Sequence, residues 1–181
     1  MPSITNFTVD YRPARPVDAD GVQQLLVAAA EEEGSLVEAP DELSVEHLRD
    51  RIRQCVSRRG QIFTIAVHDQ HVVGMIALEA YPLRALQHLR HLSLVVDPRF
   101  RRRGIGRKML RQALDWARET PEVEKIEVRI REANAAAAAL ARTAGFEVEG
   151  RLKRRVGLPN GRRLDDLEMA LFVESPKKTP A

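Results

Sequence analysis

The sequence predicts a single mixed α/β domain, in which four helices flank a central, mostly antiparallel sheet of about seven strands. Three observations predict this fold class. The length of 181 residues suits one hydrophobic core. Alternating apolar residues predict three consecutive strands over 62–67, 72–79 and 91–96, joined as an antiparallel meander. Apolar spacing near 3.6 residues predicts helices before and after this run, which would pack on the sheet.

The N-terminal part of the chain predicts one strand and two helices. A strand covers 11–15, and a helix follows over 19–33 with Gly34 as its stop signal. Ser44 is placed to cap a second helix that ends near Arg59. The strands of the meander come next, and Gly74 marks a candidate bulge within them.

The C-terminal half alternates helices and strands. Asn160-Gly161 is a tight-turn signal for a final hairpin. Residues 175–181 are polar and proline-rich, so we expect a disordered tail after a domain over 1–174. The predicted elements of this half are a helix over 104–119, a strand over 125–130, a helix over 135–144, and strands over 146–154 and 164–172.

Composition limits the class of protein. The net charge is +3 and the isoelectric point about 9.3, a mild excess of positive charge. Cys55 is the single cysteine, so no intrachain disulfide is possible. Residues 1–10 lack the pattern of a secretory signal, and no apolar run approaches the roughly 20 residues that span a bilayer. These features predict a soluble, cytoplasmic protein with no membrane partner.

The segment 101–106 reads Arg-Arg-Arg-Gly-Ile-Gly and lies between an apolar strand and an amphipathic helix. Gly104 and Gly106 let the backbone approach an anion, and the first unpaired amides of the helix point at it. A pyrophosphate suits such a position. The alternative is that the glycines only turn the chain and the arginines form a solvated face.

The spacing does not match Gly-x-Gly-x-x-Gly, and no Gly-Lys-Ser/Thr occurs, which disfavours hydride transfer and nucleotide hydrolysis. It does match Arg/Gln-x-x-Gly-x-Gly/Ala after a Val-Asp-Pro strand end. With Leu94-Val-Val-Asp-Pro through Gly106, Asn134-Ala-Ala-Ala-Ala-Ala-Leu and Ala144-Gly-Phe, the chain resembles the GNAT superfamily of N-acetyltransferases. The resemblance covers nearly all of 11–173.

The resemblance implies acetyl-CoA as cosubstrate and a set of coenzyme contacts. The strand end at Leu94, Val95 and Val96 would pair with the pantetheine arm, and an amide near Val95 or Val96 would stabilise the oxyanion. Asn134 would contact the pantetheine region, although it could instead cap the following helix, or do both. The resemblance implies that the pyrophosphate is held by the amides of Arg101, Arg102, Arg103, Gly104, Ile105, Gly106 and Arg107.

Candidate catalytic residues lie on the central strands. Glu79 is the leading general base, because burial near the end of its apolar strand would favour proton uptake; the alternative is an exposed strand-end carboxylate. His91 shares a strand face with Ser93 and could act with Glu79 if the register sets the two opposite each other. The family's tyrosine acid is replaced by Ala141.

These features predict an N-acetyltransferase that moves an acetyl group from acetyl-CoA to a primary amine by direct attack in a ternary complex. The alternative is a non-catalytic acyl-CoA-binding module or sensor. A nucleic-acid partner is disfavoured because aromatic residues make up 4% of the chain and form no stacking series. No metal-ligand spacing is present.

The acceptor predicted for this chain is a small-molecule or peptide amine. Acidic residues at 31–33 and 38–42 favour a cationic acceptor, or else belong to solvated surface. Members of the superfamily often dimerise through their C-terminal strands, which makes a homodimer a candidate assembly.

Overall fold

A seven-stranded sheet organises the chain. The computed structural model describes residues 7–32 and 35–174. The strands are β1 (Asp10–Pro13), β2 (Ile62–His68), β3 (His71–Ala80), β4 (Leu89–Val96), β5 (Lys125–Arg131), β6 (Glu147–Gly157) and β7 (Arg163–Phe172). The α-helices are α1 (Ala19–Ala30), α2 (Val45–Ser57), α3 (Ile105–Arg118) and α4 (Ala135–Thr143). The predicted fold class is confirmed.

The strand order is β1-β2-β3-β4-β5-β7-β6, so the last strand lies between β5 and β6. Every neighbouring pair is antiparallel except β4 and β5, which are parallel. Pairing of β4 with β5 extends only from Leu89–Lys125 to His91–Glu127. Beyond His91 the two strands separate, and the sheet opens there.

Helices cover both faces of the sheet. On one face, α3 and α4 pack against a core that includes Leu92, Met109 and Phe146. On the other face, α1 and α2 enclose a second core around Ile52 and Phe63. Side chains alternate along a strand, so β4 contributes to both faces. Leu92, Leu94 and Val96 face α3, and Val95 packs against the α1 and α2 core.

The elements follow the local sequence signals. Ser44 caps α2, because its Oγ accepts the N–H of His47 at 3.4 Å. The register between β2 and β3 shifts after Ala66, which pairs with Gly74, so the bulge lies where Gly74 predicts it. Helix α1 ends at Ala30 and not near Glu33. The predicted stop at 33–34 and the predicted tail over 175–181 lie outside the described residues.

Candidate active site

A cleft of about 440 Å³ occupies the opening between β4 and β5. Its two halves differ in chemistry because alternate side chains of the two strands face opposite sides of the sheet. The half beside α3 and α4 is apolar and is lined by Leu92, Leu94, Leu110, Val128, Ile130, Ala137, Leu140 and Ala141. The other half is polar and is lined by Glu38, His91, Ser93, Arg129, Arg131, Arg155 and Asp166.

The backbone before α3 turns through Gly104, whose φ of +79° is the left-handed conformation that glycine adopts without strain. The first amide to bond within this helix is that of Lys108, which donates to the Gly104 carbonyl at 3.0 Å. The amides of Ile105, Gly106 and Arg107 therefore have no intrahelical acceptor, and they lie at the positive end of the helix dipole. This geometry suits a pyrophosphate.

Three cations of this loop already interact with protein groups. Arg99 pairs with Asp97 at 2.7 Å, and Arg101 pairs with Glu32 at 2.6 Å. The Arg103 guanidinium lies 4.5 Å from the centre of the Phe7 ring. Because these three side chains are already engaged, we expect an anion to bind mainly to the backbone amides of the loop.

The exposed backbone of β4 can be assigned from one hydrogen bond. The Asp97 N–H donates to the Val73 carbonyl at 3.0 Å, and amides of a strand point alternately to its two edges. The N–H of Val95 therefore points towards β3, whereas those of Leu94 and Val96 point towards the cleft. The resemblance implies that the amide of Val95 or Val96 donates to the oxyanion. Of these two amides, only that of Val96 points towards the cleft.

Asn134 caps α4 as predicted, and it also lines the cleft. Its Oδ1 accepts the N–H of Ala137 at 3.0 Å and caps α4. The same residue lines the cleft, where its side-chain nitrogen is available as a donor. Ala141 also lines the cleft and is 4% exposed, so a methyl group occupies the position where the resemblance would place a phenol.

Glu79 pairs with His91 in the register of β3 and β4, which meets the condition under which the two could act together. Its carboxylate, however, lies against α2. Arg51 donates to Oε1 through Nε at 2.9 Å and to Oε2 through Nη2 at 2.5 Å. The same Nη2 donates to Ser93 Oγ at 3.2 Å. His91 and Ser93 line the cleft, so Glu79 can influence it through these neighbours.

His91 lies between two carboxylates. It pairs with Glu79 on one side and with Glu127 of β5 on the other. Burial lowers its pKa from the usual 6.5; the two carboxylates act to raise it, and the guanidinium groups of Arg51 and Arg129 act to lower it. The imidazole is therefore neutral at neutral pH and can accept a proton.

Glu127 belongs to a hydrogen-bonded cluster beside His91. Tyr81 donates its hydroxyl to Glu127 Oε2 at 2.8 Å, and Lys125 Nζ lies 3.1 Å from Oε1. Burial acts to raise the pKa of Glu127, but the hydrogen bonds from Tyr81 and Lys125 outweigh it, and the pKa is lowered. Burial and the bond to Glu127 raise the pKa of Tyr81 to about 12. The cluster therefore holds a carboxylate anion and a neutral phenol.

Comparison with known proteins decides the family. The model of the acetyltransferase (GNAT) family matches residues 22–146. The chain belongs to this family. The matched segment of this GNAT protein includes the loop before α3, the strands that open the cleft, and Asn134.

Relatives with assigned activities are similar to this GNAT protein over most of its length. The L-amino acid N-acetyltransferase AaaT of Escherichia coli (strain K12) is 28% identical over 130 residues, which cover 71% of this chain and 80% of the relative. The crystal structure of a ribosomal-protein-alanine N-acetyltransferase from Brucella melitensis is 28% identical with a TM-score of 0.79, and the match covers 91% of this chain and 99% of the other.

A third relative is a phosphinothricin acetyltransferase from Sinorhizobium meliloti, solved in complex with acetyl-CoA. Its TM-score is 0.81 at 20% identity, covering 95% of each chain, so it shows a shared fold. Of the helices within 7–32 and 35–174, none has the length and hydropathy needed to cross a bilayer. The same residues contain no group of three or more potential ligands arranged for a metal ion.

Several charged residues in and beside the cleft were not predicted from the sequence. Charged side chains alternate along β5 at Lys125, Glu127, Arg129 and Arg131, and this period of two could have shown that they share a face. The contact between Arg51 and Glu79 left no such signal, because 28 positions separate the two residues.

Proposed function

We propose that this GNAT protein transfers the acetyl group of acetyl-CoA to a primary amine by direct attack within a ternary complex. One observation carries the proposal. A single cleft contains an apolar wall, the capping residue Asn134 and the neutral imidazole of His91, and the anion-binding amides of α3 follow the end of β4. The relative from Sinorhizobium meliloti, which binds acetyl-CoA in its solved structure, supports the choice of donor.

The coenzyme site would combine backbone and side-chain groups. The amides of Ile105, Gly106 and Arg107 would hold the pyrophosphate, and the exposed edge of β4 would pair with the pantetheine arm. A methyl group at Gly106 would lie 3.4 Å from Val96 Cγ2, so the backbone of α3 is packed closely against the strand end. Acetyl-CoA would supply an acetyl group that is already activated as a thioester.

His91 is our candidate for the general base. An amine must lose a proton before or during attack, and His91 is a neutral imidazole that lines the polar half of the cleft. Glu79 would act through His91 as a positioning residue, since both of its oxygens bind Arg51. The Val96 or Leu94 N–H would donate to the developing oxyanion.

Direct attack is favoured over an acyl-enzyme because of the state of Cys55. This thiol is 1% exposed, and burial raises its pKa to about 12, with the charge of Glu79 acting in the same direction. A protonated and inaccessible thiol is a poor nucleophile. Cys55 also does not line the cleft.

The departing thiol needs only weak acid assistance. A free cysteine thiol has a pKa of about 8.5, so a thiolate is a stable leaving group near neutral pH. The methyl group of Ala141 can therefore replace a phenol while water supplies the proton. The non-catalytic binding module remains the rival, because Ala141 is the observation that favours it.

The proposal is tested by binding and turnover together. We would measure the affinity for acetyl-CoA, CoA and AMP, and then CoA release with a panel of small and peptide amines. Intersecting lines in double-reciprocal plots are expected for a ternary complex, and parallel lines for an acyl-enzyme. CoA affinity no higher than that for AMP would refute the coenzyme site. Tight CoA binding without turnover on any amine would favour the binding module.

The relatives act on an amino acid and on a protein alanine, according to their names, so small and peptide amines both belong in the panel. A cytoplasmic location and assembly as a homodimer stay predictions for this chain.

A further inference from the structure

The polar half of the cleft contains a buried guanidinium with an unused donor. Arg131, at the end of β5, is 8% exposed, and its Nη1 donates to Asp166. Its Nε is buried and has no hydrogen-bond partner within the described residues. A buried donor without an acceptor is destabilising, so native proteins rarely retain one without a ligand or water. Arg131 lines the cleft, which makes a ligand the natural acceptor.

Arg155 supplies a second cation to the same half. It is exposed and lines the cleft, and no carboxylate of residues 7–32 or 35–174 lies within ion-pair distance of it. The third cation there, Arg129, is paired with Glu168 at 3.1 Å. Arg155 and the Nε of Arg131 are therefore donors of the cleft that pair with no carboxylate of the described residues.

A bulge in β6 sets the position of Arg155. The register between β6 and β7 shifts between Leu152 and Val156, and Arg154 has a φ of +53°. The Arg154 N–H donates to Asp165 at 2.7 Å, which holds this strained backbone in place. Bulges commonly re-aim a neighbouring side chain. Here the cleft-lining Arg155 lies within the bulge, between Leu152 and Val156.

Arg131 lies on the acceptor side of the reaction, and Arg155 lines the same cleft. Arg131 shares a face of β5 with Glu127, which pairs with His91, because the two are separated by an even number of residues. His91 and Arg131 both line the cleft. A small molecule can therefore present an amine near His91 and an anionic group to the arginines.

We infer that the acceptor amine carries a carboxylate, which binds between Arg155 and the Nε of Arg131. This inference rests on the proposed function and names the substrate class of the same site. Glu38, the member of the acidic run 38–42 that lines the cleft, supplies the opposite charge beside an ammonium. The polar half thus suits a zwitterion such as a free amino acid. A peptide N-terminus has an uncharged amide where the free amino acid has its carboxylate.

The test compares L-amino acids with their α-carboxamides. The amide preserves shape but removes the negative charge, and its amine loses a proton more readily, so any chemical bias favours the amide. We expect kcat/KM for the best amino acid to exceed that of its amide by about tenfold or more. Equal or better turnover of amides and short peptides would overturn the inference and leave the acetyltransferase proposal intact.

Two variants test whether Arg155 is responsible for the preference for amino acids over their amides. Arg155→Gln is expected to raise KM for the amino acid about tenfold, with kcat, CoA affinity and amide turnover nearly unchanged. Lys153→Gln is the matched control, because Lys153 is an exposed cation of the same strand outside the cleft. An unchanged acid-to-amide ratio in Arg155→Gln would also overturn the inference. Arg131 is left intact, because its loss would leave Asp166 buried without its partner.

Binding to the protein saturated with CoA gives a readout that does not require turnover. Amino acids that bind the wild type, but bind Arg155→Gln at least tenfold more weakly, would support the carboxylate site even if no acetyl transfer occurred. In that case only the proposed activity would fail. Absence of both binding and turnover with every amino acid would refute the carboxylate site.

Discussion

Arg51 of α2 holds both carboxylate oxygens of Glu79 at the end of β3, with distances of 2.9 and 2.5 Å. The side chains are 28% and 23% exposed, respectively. The pair joins α2 to the strands beside the cleft. Because water reaches neither group freely, loss of one partner leaves the other charge poorly compensated.

Glu79→Gln should lower the free energy of unfolding by about 1–3 kcal/mol, since a charge-assisted contact is lost while the shape is kept. Urea denaturation measures the change. The control is Glu46→Gln, which removes a carboxylate that is 88% exposed and lies 3.3 Å from Arg49. Its effect should stay within about 0.5 kcal/mol. Equal losses in the two variants would contradict the assigned importance of the Arg51 contact.

The pH dependence of kcat/KM should reflect the lowered pKa of His91. The wild-type value should be level near neutral pH and decline only below about 6.5, because protonation removes the base. In Glu79→Gln the decline should shift to lower pH, since Glu79 acts to raise the pKa of His91. His91→Gln should lose about 100-fold in kcat together with this acid limb. An unaltered profile in His91→Gln would assign the base elsewhere.

Stability should respond to pH through the same histidine. The unfolded chain takes up a proton near pH 6.5, whereas the folded chain does so only at lower pH. The histidine therefore has no net effect above that pH and destabilises the fold as the pH falls from about 6.5 towards the folded pKa. His91→Gln should unfold with a smaller loss of stability between pH 7 and 5 than the wild type. His71→Gln, at an exposed site, is the control.

Gly104→Asp should abolish tight CoA binding by placing a carboxylate beside the pyrophosphate. A Cβ at this position meets no atom within 4 Å, so the variant has space, and Asp and Asn both tolerate a positive φ. Gly104→Asn is therefore a matched neutral control that should bind CoA within about tenfold of the wild type. Isothermal titration compares the two. Equal affinities would show that the phosphate does not lie at this turn.

Arg90 should matter for folding and not for specificity. It is 2% exposed and donates to the carbonyls of Gly60, Gln87 and Leu89, the last two at 2.7 Å. Arg90→Gln would remove three hydrogen bonds to backbone carbonyls, of which that to Leu89 is buried, and should cost about 2–4 kcal/mol in unfolding free energy. Arg58→Gln, an exposed control, should cost less than about 0.5 kcal/mol. A small loss in Arg90→Gln would mean that water replaces the guanidinium.

Local signals in the sequence predicted the elements well. The caps at Ser44 and Asn134 and the turn at Gly161, whose φ is +83°, depend on neighbours along the chain, and all three are found. The insertion of β7 between β5 and β6 depends on pairing between distant segments and was not foreseen. The length of α1 is overestimated because Gly34 is taken as the stop signal, whereas the helix ends at Ala30.

The candidate site was only partly predictable. Glycine and asparagine spacing in the sequence predicts the coenzyme region, and the register that would let Glu79 act with His91 is found. The Arg51 clamp and the unsatisfied Nε of Arg131 could not be foreseen, because they depend on side-chain packing between elements. The general base and the coenzyme contacts stay predictions.

Under the proposed function, alternate residues of strand β4 would contact different substrates. Within its eight residues, one set of side chains faces the apolar half of the cleft and the other faces the polar half. Point substitutions can therefore diversify acceptor choice at Ser93 or Val95 while donor recognition is inherited unchanged. A one-residue insertion or deletion within the strand would exchange the two sets at once. Homologous proteins are therefore expected to vary in the amino-acid sequence of this strand but not in its length.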